Sequence, residues 1–197
     1  MTIRIERLTA AALRSVLPAL ARLRMTVFHD FPYLYQGSQE YEERYLATYA
    51  ATPDSVVVAA LEGDRIVGAA TGVPLEHEPE AIRQPFTDRG LTVEGIFYFG
   101  ESVLLREYRG RGIGVEFFRH REDHARGLGR SWAYFCAVDR PIDHPRRPAD
   151  HISLESFWRH RGFEPVPGLM CYMSWQDIDE AVESRKAMRF WRKDLTR

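Results

Sequence analysis

The sequence predicts one α/β domain built on a mixed, mostly antiparallel central sheet with helices against it. Three observations lead there. Segments of strand and helix period alternate along the chain, 197 residues suffice for one well-packed core and are short for two, and no linker-like stretch divides them. With 45% hydrophobic and 28% charged residues, the composition is globular and too apolar for disorder.

The elements can be justified in order. "TIRIERL" alternates and predicts a first strand with Ile3 and Ile5 on one face. "LPALARLRMTVFHDFP" has helical period, with Pro18 near its start and Pro32 just past its end. "SQEYEERYLATYAATP" opens like a capping box at Ser38, with Glu40 and Glu42 in the first turn. "SVVVAALEGDRIVGAATGVPL" reads as a hairpin turning at Gly63-Asp64. "EPEAIRQPFTDRG" is a short helix or an irregular insertion. "VEGIFYFGESVLL" is apolar on both faces and suits a central strand.

"GIGVEFFRHREDHARGLG" places Ile113, Phe117, Phe118, Ala125 and Leu128 at helical spacing and stops at Gly127 or Gly129. "SWAYFCAV" is a further strand, and "DRPIDHPRRPAD", with three prolines, is a loop. "ISLESFWRHRGF" is a helix closed by Gly162, and "GLMCYMSW" is a late strand. The tail, 176–197, reads as an amphipathic helix with Ile178, Val182, Met188 and Trp191 among its apolar positions. That helix would serve as a lid or a homodimer contact.

The totals exclude several classes. A formal net charge of −1 argues against whole-protein attraction to nucleic acid. No run of about 18 apolar residues is long enough to span a membrane. The start lacks a signal-peptide pattern. Cys136 and Cys171 lie in apolar runs and read as buried small hydrophobes, and no Cys/His spacing matches a metal site. A reduced, cytoplasmic protein is expected.

Charge concentrates in one place. Between Leu105 and Arg130 there are seven arginines against four acids, around the turn Arg109-Gly110-Arg111-Gly112-Ile113-Gly114. A turn entering a helix presents unpaired N–H groups and the positive end of the helix dipole, and glycines let an anion approach the backbone. The same glycines could simply make a tight strand-to-helix turn. A P-loop is ruled out because no lysine follows them. A dinucleotide fingerprint would need a third glycine where Val115 stands, although Asp139 could imitate its ribose-binding acid.

The stretch from Arg109 to Gly114 resembles the R/Q-x-x-G-x-G/A signature of the GNAT superfamily of acyl-CoA-dependent N-acetyltransferases. "SVLLREY" before it and "FWRHRGFEPVPG" after it resemble that family's strand and its late "F-Y-x-x-x-G-F". The order of elements agrees from Ile3 to about Trp175, with 176–197 outside the family core. The resemblance implies a GNAT-like fold whose strands splay at the coenzyme site, with acetyl-CoA as co-substrate and no metal. The backbone of Arg109, Gly110, Arg111, Gly112, Ile113, Gly114 and Val115 would hold the coenzyme A pyrophosphate. Val103 and Leu104 would face the pantetheine.

The chemistry would be direct attack of an amine in a ternary complex, which needs a base, a polarised carbonyl and a proton for the thiolate. Glu101 is the expected base, as the only acid of its apolar run; a structural carboxylate is the other reading. Tyr98 is second, should a bulge turn it toward the cleft. The family's usual tyrosine acid is Trp158 here, and an indole cannot supply a proton at neutral pH. Acyl transfer through Cys136 is disfavoured by its apolar flanks. The acceptor would be an amine of a small metabolite or peptide, met by Phe31, Tyr33, Tyr35, Tyr41 and the neighbouring acids, and by the loop of Arg140, His144, Arg146 and Arg147. Two other functions compete: a non-catalytic acyl-CoA-binding sensor, favoured by Trp158, and a dinucleotide-binding oxidoreductase.

Overall fold

The computed structural model describes residues 2–197. Strand β1 (Ile3–Arg7) leads to helices α1 (Ala10–Phe28) and α2 (Gln39–Ala51), the hairpin β2 (Val56–Glu62) and β3 (Arg65–Pro74), and α3 (Glu80–Thr87). Then come β4 (Ile96–Tyr98), β5 (Ser102–Leu104), α4 (Ile113–Gly127), β6 (Trp132–Val138), α5 (Glu155–His160), β7 (Glu164–Trp175) and β8 (Ser184–Asp194). The sheet runs β1-β2-β3-β4-β6-β8-β7, with β5 pairing β3 off that path. Only β4 and β6 pair in parallel; the other pairs are antiparallel.

Local chemistry accounts for the early elements. Helix α1 starts upstream of the expected stretch because the Thr9 side chain accepts from the Ala12 N–H at 3.2 Å, which caps a run of alanines. Pro18 therefore lies inside the helix. The Ser38 hydroxyl accepts from the Tyr41 N–H at 3.4 Å and starts α2 as expected. Helices α1 and α2 bury Leu13, Leu20, Leu46 and Tyr49 against one face of the sheet. Helix α4 buries Ile113, Phe117 and Phe118 against the other face, with Phe97, Phe99 and Phe135.

The tail corrects the sequence reading. Residues 184–194 form β8, a strand paired on both sides, so no C-terminal helix exists to act as a lid or dimer contact. Lys186, Met188 and Phe190 are buried at a period of two. Val182, which the helical reading placed on an apolar stripe, is exposed. The segment is rich in helix formers, but two waiting sheet edges outweigh local propensity.

Candidate active site

The centre of the sheet opens at one point. Ile96–Tyr98 pair with Trp132–Tyr134 of β6, and the Phe99 N–H still donates to the Tyr134 carbonyl at 2.7 Å. Beyond that bond the chain leaves β6, and β5 pairs only with β3. Val73 faces Tyr98 while Ala70 faces Ser102, so three steps on β3 oppose four on its partner. The extra residue is a bulge at Gly100-Glu101, which bends its strand away from β6. Gly100 lets the chain pass close to α2 and β3 there. A Cβ on it would lie 2.5 Å from the Tyr49 hydroxyl and 2.7 Å from Thr71 Oγ1.

Ladder alternation decides which groups face the opening. The Thr71 N–H donates to Glu101 O at 3.0 Å, and the Leu105 N–H to Val67 O at 3.0 Å. Val103 between them therefore turns its backbone toward Ala69, while Ser102 and Leu104 turn theirs toward the gap. This corrects half of the expected pantetheine pair: Val103 turns its backbone to β3, and it is Ser102 and Leu104 whose backbones face the opening. Ser102 is exposed in the middle of the sheet. Arg109 Nε donates to the Leu104 carbonyl at 3.2 Å and ties the next turn back to this strand.

In that turn the N–H groups of Gly110, Arg111, Gly112, Ile113 and Gly114 meet no acceptor among the described residues. Val115 differs: its N–H already donates to Gly112 O at 3.0 Å. Gly112 caps α4 at φ 80°, and a Cβ on Gly110 or Gly112 would point into open space. Arg111 arches over the Tyr108 ring and donates to Glu107 O at 2.7 Å. Arg106 reaches Asp150 at 3.5 Å, from the loop that follows β6. The result is a concave row of donors ringed by guanidinium groups, suited to a pyrophosphate.

On the α1–α2 side, Glu101 is not in apolar surroundings. Its Oε2 is paired with Arg24, which also pairs with the fully buried Glu42, and the Tyr45 hydroxyl donates to Glu101 at 3.3 Å. The Tyr45 and Tyr49 hydroxyls are 2.9 Å apart. Tyr98 is buried, with its hydroxyl 3.0 Å from Cys136 Sγ; burial holds that phenol well above its usual range. Cys171 is likewise held far above the usual thiol range, by Cys136 and by burial. Glu78, just past the end of β3, has no hydrogen-bonding or ion-pairing side-chain partner among the described residues. Burial pushes its carboxyl up to about 7, and its charge acts on Tyr45, Tyr49 and Tyr98.

A family model described as the acetyltransferase (GNAT) family matches residues 20–148, which include the bulge, the gap and the glycine turn. This chain belongs to the GNAT acetyltransferase family. Solved GNAT-like structures agree in fold. An N-acetyltransferase from Staphylococcus aureus Mu50 is 11% identical over 99% of both chains, with a TM-score of 0.66. A ribosomal-protein-alanine N-acetyltransferase from Brucella melitensis is 15% identical, covering 97% of this chain and 99% of that one, TM-score 0.63. A putative acetyltransferase from Salmonella typhimurium, solved with its cofactor acetyl-CoA, is 10% identical over 99% of this chain and 95% of that one, TM-score 0.62. No curated protein matches the sequence.

Beside the gap the structure brings together Glu101, Leu104 and the turn 109–114, and it buries Tyr98 in the core. Trp158 packs edge-on against Phe135 and Trp191, each at 5.0 Å between centroids. The expected acceptor segments do meet: Arg140 donates to the carbonyls of Pro32 and Tyr33 at 2.8 Å, and Phe31 packs between His144 and His151. Sequence reasoning missed Glu78, Ser102 and Arg121. Arg121 alone left a trace, since Ile113, Phe117, Arg121 and Ala125 recur every fourth residue on the buried stripe of α4. Among the described residues no helix is long and apolar enough to cross a membrane, and no group of His, Cys, Asp or Glu is arranged to hold a metal.

Proposed function

We propose that the chain transfers an acetyl group from acetyl-CoA to a primary amine of a small metabolite or peptide, by direct attack in a ternary complex. One observation carries the reading: a gap in the sheet is edged by backbone donors at Ser102 and Leu104 that lead into five free N–H groups at the glycine turn. A thioester carbonyl, a pantetheine amide and a pyrophosphate need acceptable donors in that order. The acetyl-CoA complex of the Salmonella relative and a coenzyme A complex of a Thermoplasma acidophilum N-acetyltransferase support the choice of ligand.

In this reading the Ser102 N–H donates to the thioester oxygen and Leu104 to the pantetheine. Residues Gly110 to Gly114 hold the pyrophosphate, with Arg109 bracing the turn rather than binding the anion. Val115 begins the helix behind them. Acceptor amines enter from the α1–α2 side, past Tyr45. Glu78 takes the first proton from the ammonium, as an unpartnered carboxyl with a pKa near neutrality should. Glu101, the residue expected for that task, holds the amine in line because Arg24 already occupies one of its oxygens. Tyr98 walls the site. The freed amine forms the C–N bond as the C–S bond breaks, and its second proton goes to the departing thiolate through water. Two free thiols suit a reducing, cytoplasmic setting.

Thermal stabilisation by acetyl-CoA, coenzyme A and NAD, followed by thiol release with a panel of amines, tests this. Ligand at 100 times its Kd adds about 2.7 kcal/mol. The coenzyme species should stabilise the protein and NAD should not, with thiol released for at least one amine. Stabilisation without release for any amine would favour a sensor, and stabilisation by NAD alone would sink the reading.

A further inference from the structure

Arg121 lies on α4, is 1% exposed, and has no carboxylate within ion-pairing distance among the described residues. Its charge rests on carbonyl dipoles instead. Nε donates to Phe117 O at 3.1 Å, and Nη1 donates to Thr71 O at 3.2 Å and to Glu101 O at 3.0 Å. Nη2 donates to Ser102 Oγ at 2.8 Å, and the guanidinium lies over the Phe99 ring at 4.2 Å. Burial lowers its pKa to about 9, which leaves it charged at neutral pH.

A positive charge in a core is costly, and a bulge could be braced by a neutral donor. The placement of this one matters. The Glu101 carbonyl receives both the Thr71 N–H and the Arg121 guanidinium. The N–H of that same peptide unit belongs to Ser102, and in a trans peptide it points the opposite way, into the gap. A charge-assisted bond to the oxygen draws electrons through the amide and strengthens its N–H as a donor.

We propose that Arg121 is a positioning and polarising residue for acetyl transfer: acting through the Glu101–Ser102 peptide, it fixes and strengthens the N–H that receives the thioester oxygen. The inference rests on the acetyltransferase reading given above. Arg121 touches no substrate itself. Its contribution grows as negative charge develops on the carbonyl oxygen, so it belongs to kcat rather than to coenzyme affinity.

The test is the infrared stretch of the thioester carbonyl in bound acetyl-CoA carrying 13C at that carbon, with no amine present. In the wild-type protein the bound carbonyl should absorb at lower frequency than in solution. R121K keeps a charge but cannot hold both carbonyls, so it should lose part of that shift; R121M should lose nearly all of it. Both should keep the coenzyme Kd within about threefold while kcat falls about tenfold or more. If R121M does not fold, R121K decides the question, its folding checked by Tm. An unchanged frequency in a folded Arg121 variant overturns the role of Arg121 and leaves the acetyltransferase reading standing. Failure of wild-type protein to bind acetyl-CoA overturns both.

Discussion

Arg24 holds two carboxylates at once: Glu42, which is fully buried, and Glu101 at the bulge. The pairing joins α1, α2 and the middle of the sheet through one guanidinium, which also lies 4.4 Å over the Tyr45 ring. R24M should strand both acids and destabilise the fold by about 3–5 kcal/mol. Urea denaturation would measure it. Adding E42Q should recover part of the loss, because one of the stranded charges is then gone; a double variant no more stable than R24M would mean the pair is not coupled.

Glu78 should set the pH profile. Its carboxyl is raised by burial from 4.5 to about 7, so the folded state binds the extra proton between those values. The contribution of Glu78 to stability is therefore fully present below about pH 4.5 and is lost as pH climbs to about 7, by at most about 3 kcal/mol. E78Q should remove this slope and raise Tm at pH 8 more than at pH 5. It should also abolish the rise in rate through pH 7, so one variant gains stability and loses activity.

E101Q should keep coenzyme binding and lower kcat about tenfold or more, as expected for loss of a group that orients the acceptor. Its rate should still rise through pH 7. Loss of that rise in E101Q, with its survival in E78Q, would exchange the two roles.

Gly112 adopts a left-handed conformation at the head of α4, with open space where a Cβ would go. G112V should strain the turn by roughly 1–2 kcal/mol and place a branched side chain in the cradle, abolishing stabilisation by coenzyme A. G127A is the control. Its Cβ would meet nothing within 4 Å, so coenzyme binding should be unchanged and the helix slightly more stable, by about 0.5 kcal/mol.

What could be read in the sequence was local. The hairpin at Gly63-Asp64, the Ser38 cap and the glycine turn each declare themselves within a few residues, and each is present. Glu101 was legible as a lone acid in an apolar run, but its partner Arg24 lies 77 positions away and no spacing rule connects them. The same holds for Glu78, whose proton affinity depends on burial beside tyrosines from α2 and β4. Val103 was misjudged by one residue, and because strand backbones alternate, one residue separates a group facing β3 from one facing the gap. Arg121 sat in "RHRED", which reads as a solvated face unless its place in the four-residue stripe is counted.

The position of β8 bears on how this chain comes into being. In order of synthesis β6 and β7 are both made before β8, yet β8 lies between them and neither pairs with the other. While the nascent chain grows, β7 has no strand to join, and β6 can pair only with the short β4. The glycine turn and the hairpin before it can assemble early. Strand β7 must wait, its hydrogen-bonding edge unmet, until β8 slides in between it and β6.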